Sequence, residues 1–137
     1  MNALTQGIYD YLSGDLVLVA MLASYEGAPA IFTIDPVPGD AVLPYLVSAG
    51  DVTDTSFDTK LDRGRRIWRD VRCYATADGD SMPVEQIAER VRGLLHRHIL
   101  TVAGYGVLVA ECSGPIASNE QDAYGRIVTV KLIMMEA

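Results

Sequence analysis

Apolar positions near the start of the chain recur at helical spacing. Leu4, Ile8, Tyr11 and Leu12 line one helical face. Ser13, Gly14 and Asp15 interrupt the pattern, and Leu16 opens a second apolar stretch that runs to Ala23. Asp15 is placed to cap it. Two tandem helices and one kinked helix fit equally well, and residues 16 to 23 suit a buried helix. Between residues 27 and 44 Gly27, Pro29, Pro36, Pro38, Gly39 and Pro44 mark loops around one short strand, Ala30 to Ile34. A second strand is expected from Pro44 to Gly50, opening on a proline where the missing N–H does least harm.

Residues 51 to 66, DVTDTSFDTKLDRGRR, are mostly polar. They read as a long connection between strands or as the outer part of a hairpin. Ile67 to Thr76 alternates as a strand. Ile67, Val71, Cys73 and Ala75 point one way; Trp68, Asp70, Arg72 and Tyr74 point the other. Arg69 falls on the apolar face, which places it near the open end of the strand. The clearest helix follows, with Pro83 in its first turn and Asp80 or Ser81 as cap. Its apolar face carries Val84, Ile87, Ala88, Val91, Leu94, Leu95 and His98. Two more strands are expected, Tyr105 to Cys112 and Arg126 to Met134, separated by Gly114, Pro115 and the polar run Ser118 to Asp122. Hairpin-length links favour antiparallel pairing. The expected fold is α+β: a single antiparallel or mixed sheet, helices packed on one face, and a long polar hairpin loop.

The chain has 137 residues, half of them hydrophobic and 21% charged. One globular domain spanning residues 1–137 is the expectation. A formal charge of -7 and a pI near 4.6 argue against a general nucleic-acid binder, whose affinity comes from neutralising phosphates. Cys73 and Cys112 lie outside any CxxC pair and read as reduced, buried thiols. The N-terminal residues lack a signal-peptide pattern. No apolar run approaches the ~20 residues that span a bilayer, so the expected setting is the cytoplasm, without membrane contact.

Enzymatic chemistry finds little support. His96 and His98 are two apart, so on a helix they diverge by about 200° and cannot share a metal. They read as an exposed and a half-buried histidine. Asp51, Asp54, Asp58 and Asp62 do not follow a calcium-loop pattern. They form either a solvated acidic face or a weak cation site. Gly104, Tyr105 and Gly106 precede a strand and lack the rest of a dinucleotide or phosphate-loop motif. Ser113 and Gly114 have no nucleophile-elbow context. No catalytic residue, cofactor or metal site is expected.

Charge is unevenly spread. Lys60, Arg63, Arg65, Arg66, Arg69 and Arg72 are six of the 11 basic residues. This patch reads as a solvated surface, as a nucleic-acid contact, or as a basic loop that meets an acidic face on a second copy. The last reading makes Asp51, Asp54, Asp58, Lys60, Asp62, Arg63, Arg65 and Arg66 the candidate contact residues.

Element order and hydrophobic pattern together resemble a known family over nearly the whole chain. The pattern comprises the helical segment running into Asp15, Leu16, Val17, Leu18, Val19, Ala20, Met21 and Leu22. Leu43, Pro44, Tyr45, Leu46 and Val47 follow, opening a strand. Next come the polar loop, the strand Arg69 to Ala75, the amphipathic helix Val84 to His98, Leu100, and a last strand preceded by Asp122 and Tyr124. In these features the chain resembles the tail-terminator (tail-completion) proteins of long-tailed phages and phage-like gene transfer agents. The resemblance implies a non-enzymatic virion protein, assembled in the host cytoplasm and located in the neck region of the tail. It implies a homo-hexameric ring on the head-proximal end of the tail tube. That ring would contact the tail tube protein and a head connector, and DNA would pass its channel without specific binding. Another head–tail joining protein, or a small α+β ligand-binding or enzymatic domain, is the alternative.

Overall fold

The computed structural model describes residues Met1–Ala137. Helices α1 (Asn2–Ser13) and α2 (Leu16–Met21) open the chain. Short strands β1 (Ser24–Tyr25), β2 (Ala28–Pro29), β3 (Ile31–Phe32) and β4 (Tyr45–Val47) follow. Then come β5 (Asp51–Ser56), β6 (Gly64–Thr76), α3 (Met82–Leu95), β7 (Tyr105–Ala117) and β8 (Ala123–Glu136). The fold is α+β. β1 and β2 form a small ribbon; the main sheet has the order β3-β4-β6-β8-β7, with β5 added beside β6. The sheet is mixed, because β3 runs parallel to β4 while every other pair is antiparallel.

β6 is the spine. Along one edge it pairs with β8 from Gly64↔Met135 to Thr76↔Ala123. Its other edge is shared: β4 pairs with Arg72 to Tyr74, and β5 with Arg65 to Arg69. The polar segment is therefore the outer part of a hairpin. Its first six residues are a strand, and only 57 to 63 form the connecting loop. β5 escapes a pattern-based reading because five of its six residues are exposed, so no apolar alternation exists to mark it. Its β-branched Val52, Thr53 and Thr55 suit a pleated backbone all the same.

One face of the sheet is covered. Ile67, Val71, Cys73 and Ala75 of β6 meet Val128, Val130, Leu132 and Met134 of β8 and Val107, Ala110 and Cys112 of β7. Leu4, Ile8 and Leu12 of α1, Leu18 of α2, and Val84, Ile87, Ala88, Val91 and Leu95 of α3 close over them. α1 and α2 are two helices joined at Gly14, as the broken periodicity allows. The Asp15 carboxylate caps α2 by accepting the Leu18 N–H at 2.9 Å. It also accepts two bonds from the Arg90 guanidinium, at 2.7 and 3.0 Å, which ties α2 to α3. The Arg90 hydrogen bonds hold the Asp15 carboxyl below its ordinary range, against the opposing effect of desolvation.

Several expectations need correction. The stretch from Leu16 to Ala23 is not buried: α2 is six residues long and contacts the core on one side only. Leu18 is enclosed while Leu16 and Val17 are 82% and 55% exposed. The strands around Ile31 and Leu46 are shorter than expected, because the prolines at 29, 36 and 44 bound them. α3 ends at Leu95, so His98 lies beyond its apolar face. Of the two expected caps, Ser81 holds the position and Asp80 supplies the acceptor, taking the Met82 N–H at 3.0 Å, as expected. Gly114 and Pro115 do not end β7. They sit in a bulge between Ser113 and Ile116, where Gly114 takes a φ of +88° that a side chain would resist.

The largest correction concerns Arg69. It lies within β6 and is wholly buried. Its Nε donates to the Ser48 Oγ at 3.2 Å, one terminal nitrogen to the Ser48 carbonyl at 2.9 Å, and the other to the Asp51 carboxylate at 2.9 Å. The Met1 ammonium donates to the second Asp51 oxygen at 2.7 Å. An arginine on an apolar face is tolerated there because its fork is filled and it lies against the Asp51 carboxylate.

Two outcomes follow. Replacing Ile87 or Val91 with Asp buries an unpaired charge beneath the sheet and should abolish the cooperative thermal transition. A folded variant would show that the α3 stripe is not core. Arg69→Ala should cost about 3–5 kcal/mol in a denaturant titration, because Asp51 keeps only the Met1 ammonium and the buried Ser48 carbonyl loses its donor. A change below about 1 kcal/mol would mean that the cluster is replaceable by water.

Candidate functional site

The eight candidate contact residues do not stand together as a free surface. Asp51 is turned inward and consumed by Arg69 and Met1. Asp54 and Arg65 face each other across the hairpin at 3.2 Å. Arg63 pairs with Glu136 at the end of β8, 3.1 Å away. Arg66 lies over the Phe57 ring at 5.1 Å, with its Nε buried and without a partner. The acidic first half and basic second half of the segment thus partly neutralise each other within one chain. Lys60 and Asp62 remain at the tip, exposed and outside any ion pair.

The tip itself is well held. The Phe57 N–H donates to the Gly64 carbonyl at 2.9 Å, and the Thr59 N–H to the Asp62 carbonyl at 2.8 Å. The Asp58 carboxylate accepts the Gly64 N–H at 3.1 Å. Position 64 must be glycine for this closure, since a Cβ there would lie 2.6 Å from the Phe57 carbonyl. The turn pushes Leu61 outward, where it is 90% exposed, the most exposed large apolar side chain in the chain. Pattern reading passed over Leu61 because a single leucine among polar residues carries no periodicity.

The second face of the sheet is open around Trp68, Asp70, Lys131 and Thr129. The Lys131 ammonium lies 5.6 Å from the Trp68 ring centre, and the Thr129 hydroxyl donates to Asp70 at 2.6 Å. Next to it, Val37, Leu43 and Tyr45 pack on Val47, Tyr74 and Ala123, and the rings of Tyr25, Phe32, Tyr45 and Tyr74 meet in series, edge to face or tilted.

The outward edge of β7 is occupied. The Arg97 N–H donates to the Ala110 carbonyl at 2.7 Å, and the Cys112 N–H to the His96 Nδ1 at 3.0 Å. Arg92 donates to the carbonyls of Cys112 and Gly114 at 3.2 and 2.6 Å. His96 is therefore half-buried and engaged, not exposed as its helical position suggested. His98 stacks on Tyr11 with ring centres 3.9 Å apart. It shares a cavity of about 260 Å³ with Asp10 and Thr101, yet no hydrogen bond joins its ring to either. No group of three or more His, Cys, Asp or Glu side chains is close enough to hold a metal ion. No helix is long and apolar enough to cross a membrane.

The chain is similar in fold to a chain in a solved structure of the virion of a native gene transfer agent (GTA) particle. The likeness has a TM-score of 0.77 at 19% identity and covers 99% of this chain and 96% of that one. No protein-family model and no curated protein sequence matches it.

Both thiols are protected by burial. It pushes the Cys73 thiol up to about 12 and the Cys112 thiol up to about 11, the latter against the opposing charge of Arg92. Only thiolate reacts, so the folded chain at pH 8 should label with a thiol reagent far more slowly than the urea-unfolded chain. Thermal melts with and without EDTA should coincide. Fast labelling of the native chain, or a large drop in melting temperature with EDTA, would overturn these assignments.

Proposed function

We propose that the chain is a ring-forming tail terminator. Copies of it would cap the head-proximal end of a tail tube and offer the docking surface for a head connector. The observation that carries this reading is the end-to-end likeness in fold to a chain of a gene transfer agent virion. It agrees with the family resemblance of the sequence pattern. The role is structural, with no reaction to catalyse, and the location is the neck of the virion. Another head–tail joining protein is the second reading, since the same likeness would serve a different neck component.

The chemistry of the surface suits passage of DNA. Six copies at -7 each carry -42 formally. Most of the basic hairpin residues are occupied by partners within the chain, so few cations remain to hold phosphates. The β5–β6 hairpin is the natural arm for contact with a neighbour or the tube, with Lys60, Asp62 and Arg63 at its end. Exposed pairs made there contribute about 0–1 kcal/mol each, so they tune assembly more than folding.

Purified chain, alone and mixed with growing tail tubes, tests the proposal by native mass spectrometry and negative-stain imaging. A six-membered ring that seats on one tube end and halts growth is the expected result. Lys60→Glu with Arg63→Glu should leave the melting temperature nearly unchanged and weaken capping, more visibly at low salt. A chain that stays monomeric and leaves tube length unchanged would sink the proposal. Rings that bind only the connector would favour the second reading.

A further inference from the structure

We infer that Leu61 at the hairpin tip of one copy inserts into the cavity beside the β7 edge of the next. The inference rests on the ring reading above and names the contact that would build the ring. The cavity measures about 260 Å³ and is lined by Arg97, Ile99, Leu108, Val109, Ala110 and Glu111. Its apolar walls are already presented to solvent: Ile99 is 62% and Leu108 59% exposed.

Two local distortions build this cavity. The β7–β8 register shifts between Val107 and Val109, which makes Leu108 the extra residue of a bulge. A bulge re-aims its side chain away from the regular alternation, and here it turns a leucine outward at the sheet edge. Opposite, Arg97 is held at a φ of +59°, a left-handed conformation that non-glycine residues rarely take. That conformation accompanies its N–H bond to Ala110 and sets the 97–99 segment along the strand. Arg97 is the left-handed residue that stops α3, and together with the bulge it leaves an apolar recess open at the strand edge.

The tip and the recess match in three respects. Leu61 is an apolar knob on a turn that its own hydrogen bonds hold in shape, so little ordering is needed on contact. Lys60 and Asp62 flank it with one charge of each sign, and Arg97 and Glu111 offer the opposite pair: Lys60 to Glu111, Asp62 to Arg97. Finally, the two partners lie at opposite edges of the sheet, since β5 is beside β6 and β7 is beyond β8. Each copy therefore carries one knob and one recess. Such a head-to-tail contact closes into a ring when the rotation per copy allows.

Disulfide trapping tests this on the full chain. Leu61→Cys combined with Leu108→Cys, oxidised at high protein concentration, should give a ladder from dimer towards the closed ring on a non-reducing gel. Either single variant should stay monomeric on the same gel, because position 61 meets position 108 and the native thiols are buried. Both positions are exposed, so the variants should melt as the wild type does. Lys60→Glu should weaken association several-fold, and adding Glu111→Lys should restore it. Rings in native mass spectra with no ladder, or a charge reversal that restores nothing, would overturn this contact while the ring reading stands. A wild-type chain that is monomeric and yields no ladder would overturn both.

Discussion

The Arg69 cluster is the constraint on which the sheet depends. Two strands, β4 and β5, must share one edge of β6, and the chain has only residues 48 to 50 in which to pass between them. Arg69 holds both ends of that passage, Ser48 through hydroxyl and carbonyl and Asp51 through its carboxylate. The same carboxylate receives the Met1 ammonium, so the start of α1 is fixed to the start of β5. Buried ion pairs rarely add net stability over an apolar replacement, because desolvation offsets their attraction. What this one supplies is position. Leucine at 69 would fill the space but leave the Ser48 carbonyl and the strand exchange unspecified.

The parts of the fold that were legible are those with one buried side. The stripes of α1 and α3 and the alternation of β6 and β8 follow from burial against a single core, and the structure keeps them. The N-cap at Asp15 was legible because capping is local chemistry. Arg69 was noticed as an exception, but its partner Asp51 lies 18 residues away on a different strand, and no pattern reports such a distance. β5 was ambiguous for the opposite reason. It is wet on nearly all its surface, and its pairing is decided by the partner strand. The eight candidate contact residues were a charge pattern, and cross-strand pairing in the hairpin consumed much of that charge. The β7 bulge, the turned-out Leu108 and the left-handed Arg97 leave no mark in the sequence. They are products of tertiary register.

The two sides of the sheet are managed differently. An open edge strand is a template for pairing with another chain. On β7 that template is removed: Arg97, His96 and Arg92 take the outward N–H and C=O groups of Ala110, Cys112 and Gly114. The β5 edge keeps its backbone free but carries Asp54 and a register shift beside Val52, which disrupts a regular ladder. Association of this chain by simple strand addition is thereby disfavoured at β7 and at β5.

On the proposed ring reading, a chain protected in this way would meet its neighbours through side chains. Side-chain contacts are the better device for a closed assembly. A backbone ladder can slip in register and can add copies without limit, while a knob in a recess has one register and one angle. The charge budget points the same way. With the basic residues of the hairpin largely paired inside the chain, the copies repel one another at long range. In the proposed ring they would attract only where a few exposed groups meet at short range. Salt shortens the reach of the repulsion but leaves an apolar insertion intact. Assembly of this kind would be selective in geometry and indifferent to the bulk charge of whatever passes beside it, which is the combination that the proposed ring around DNA requires.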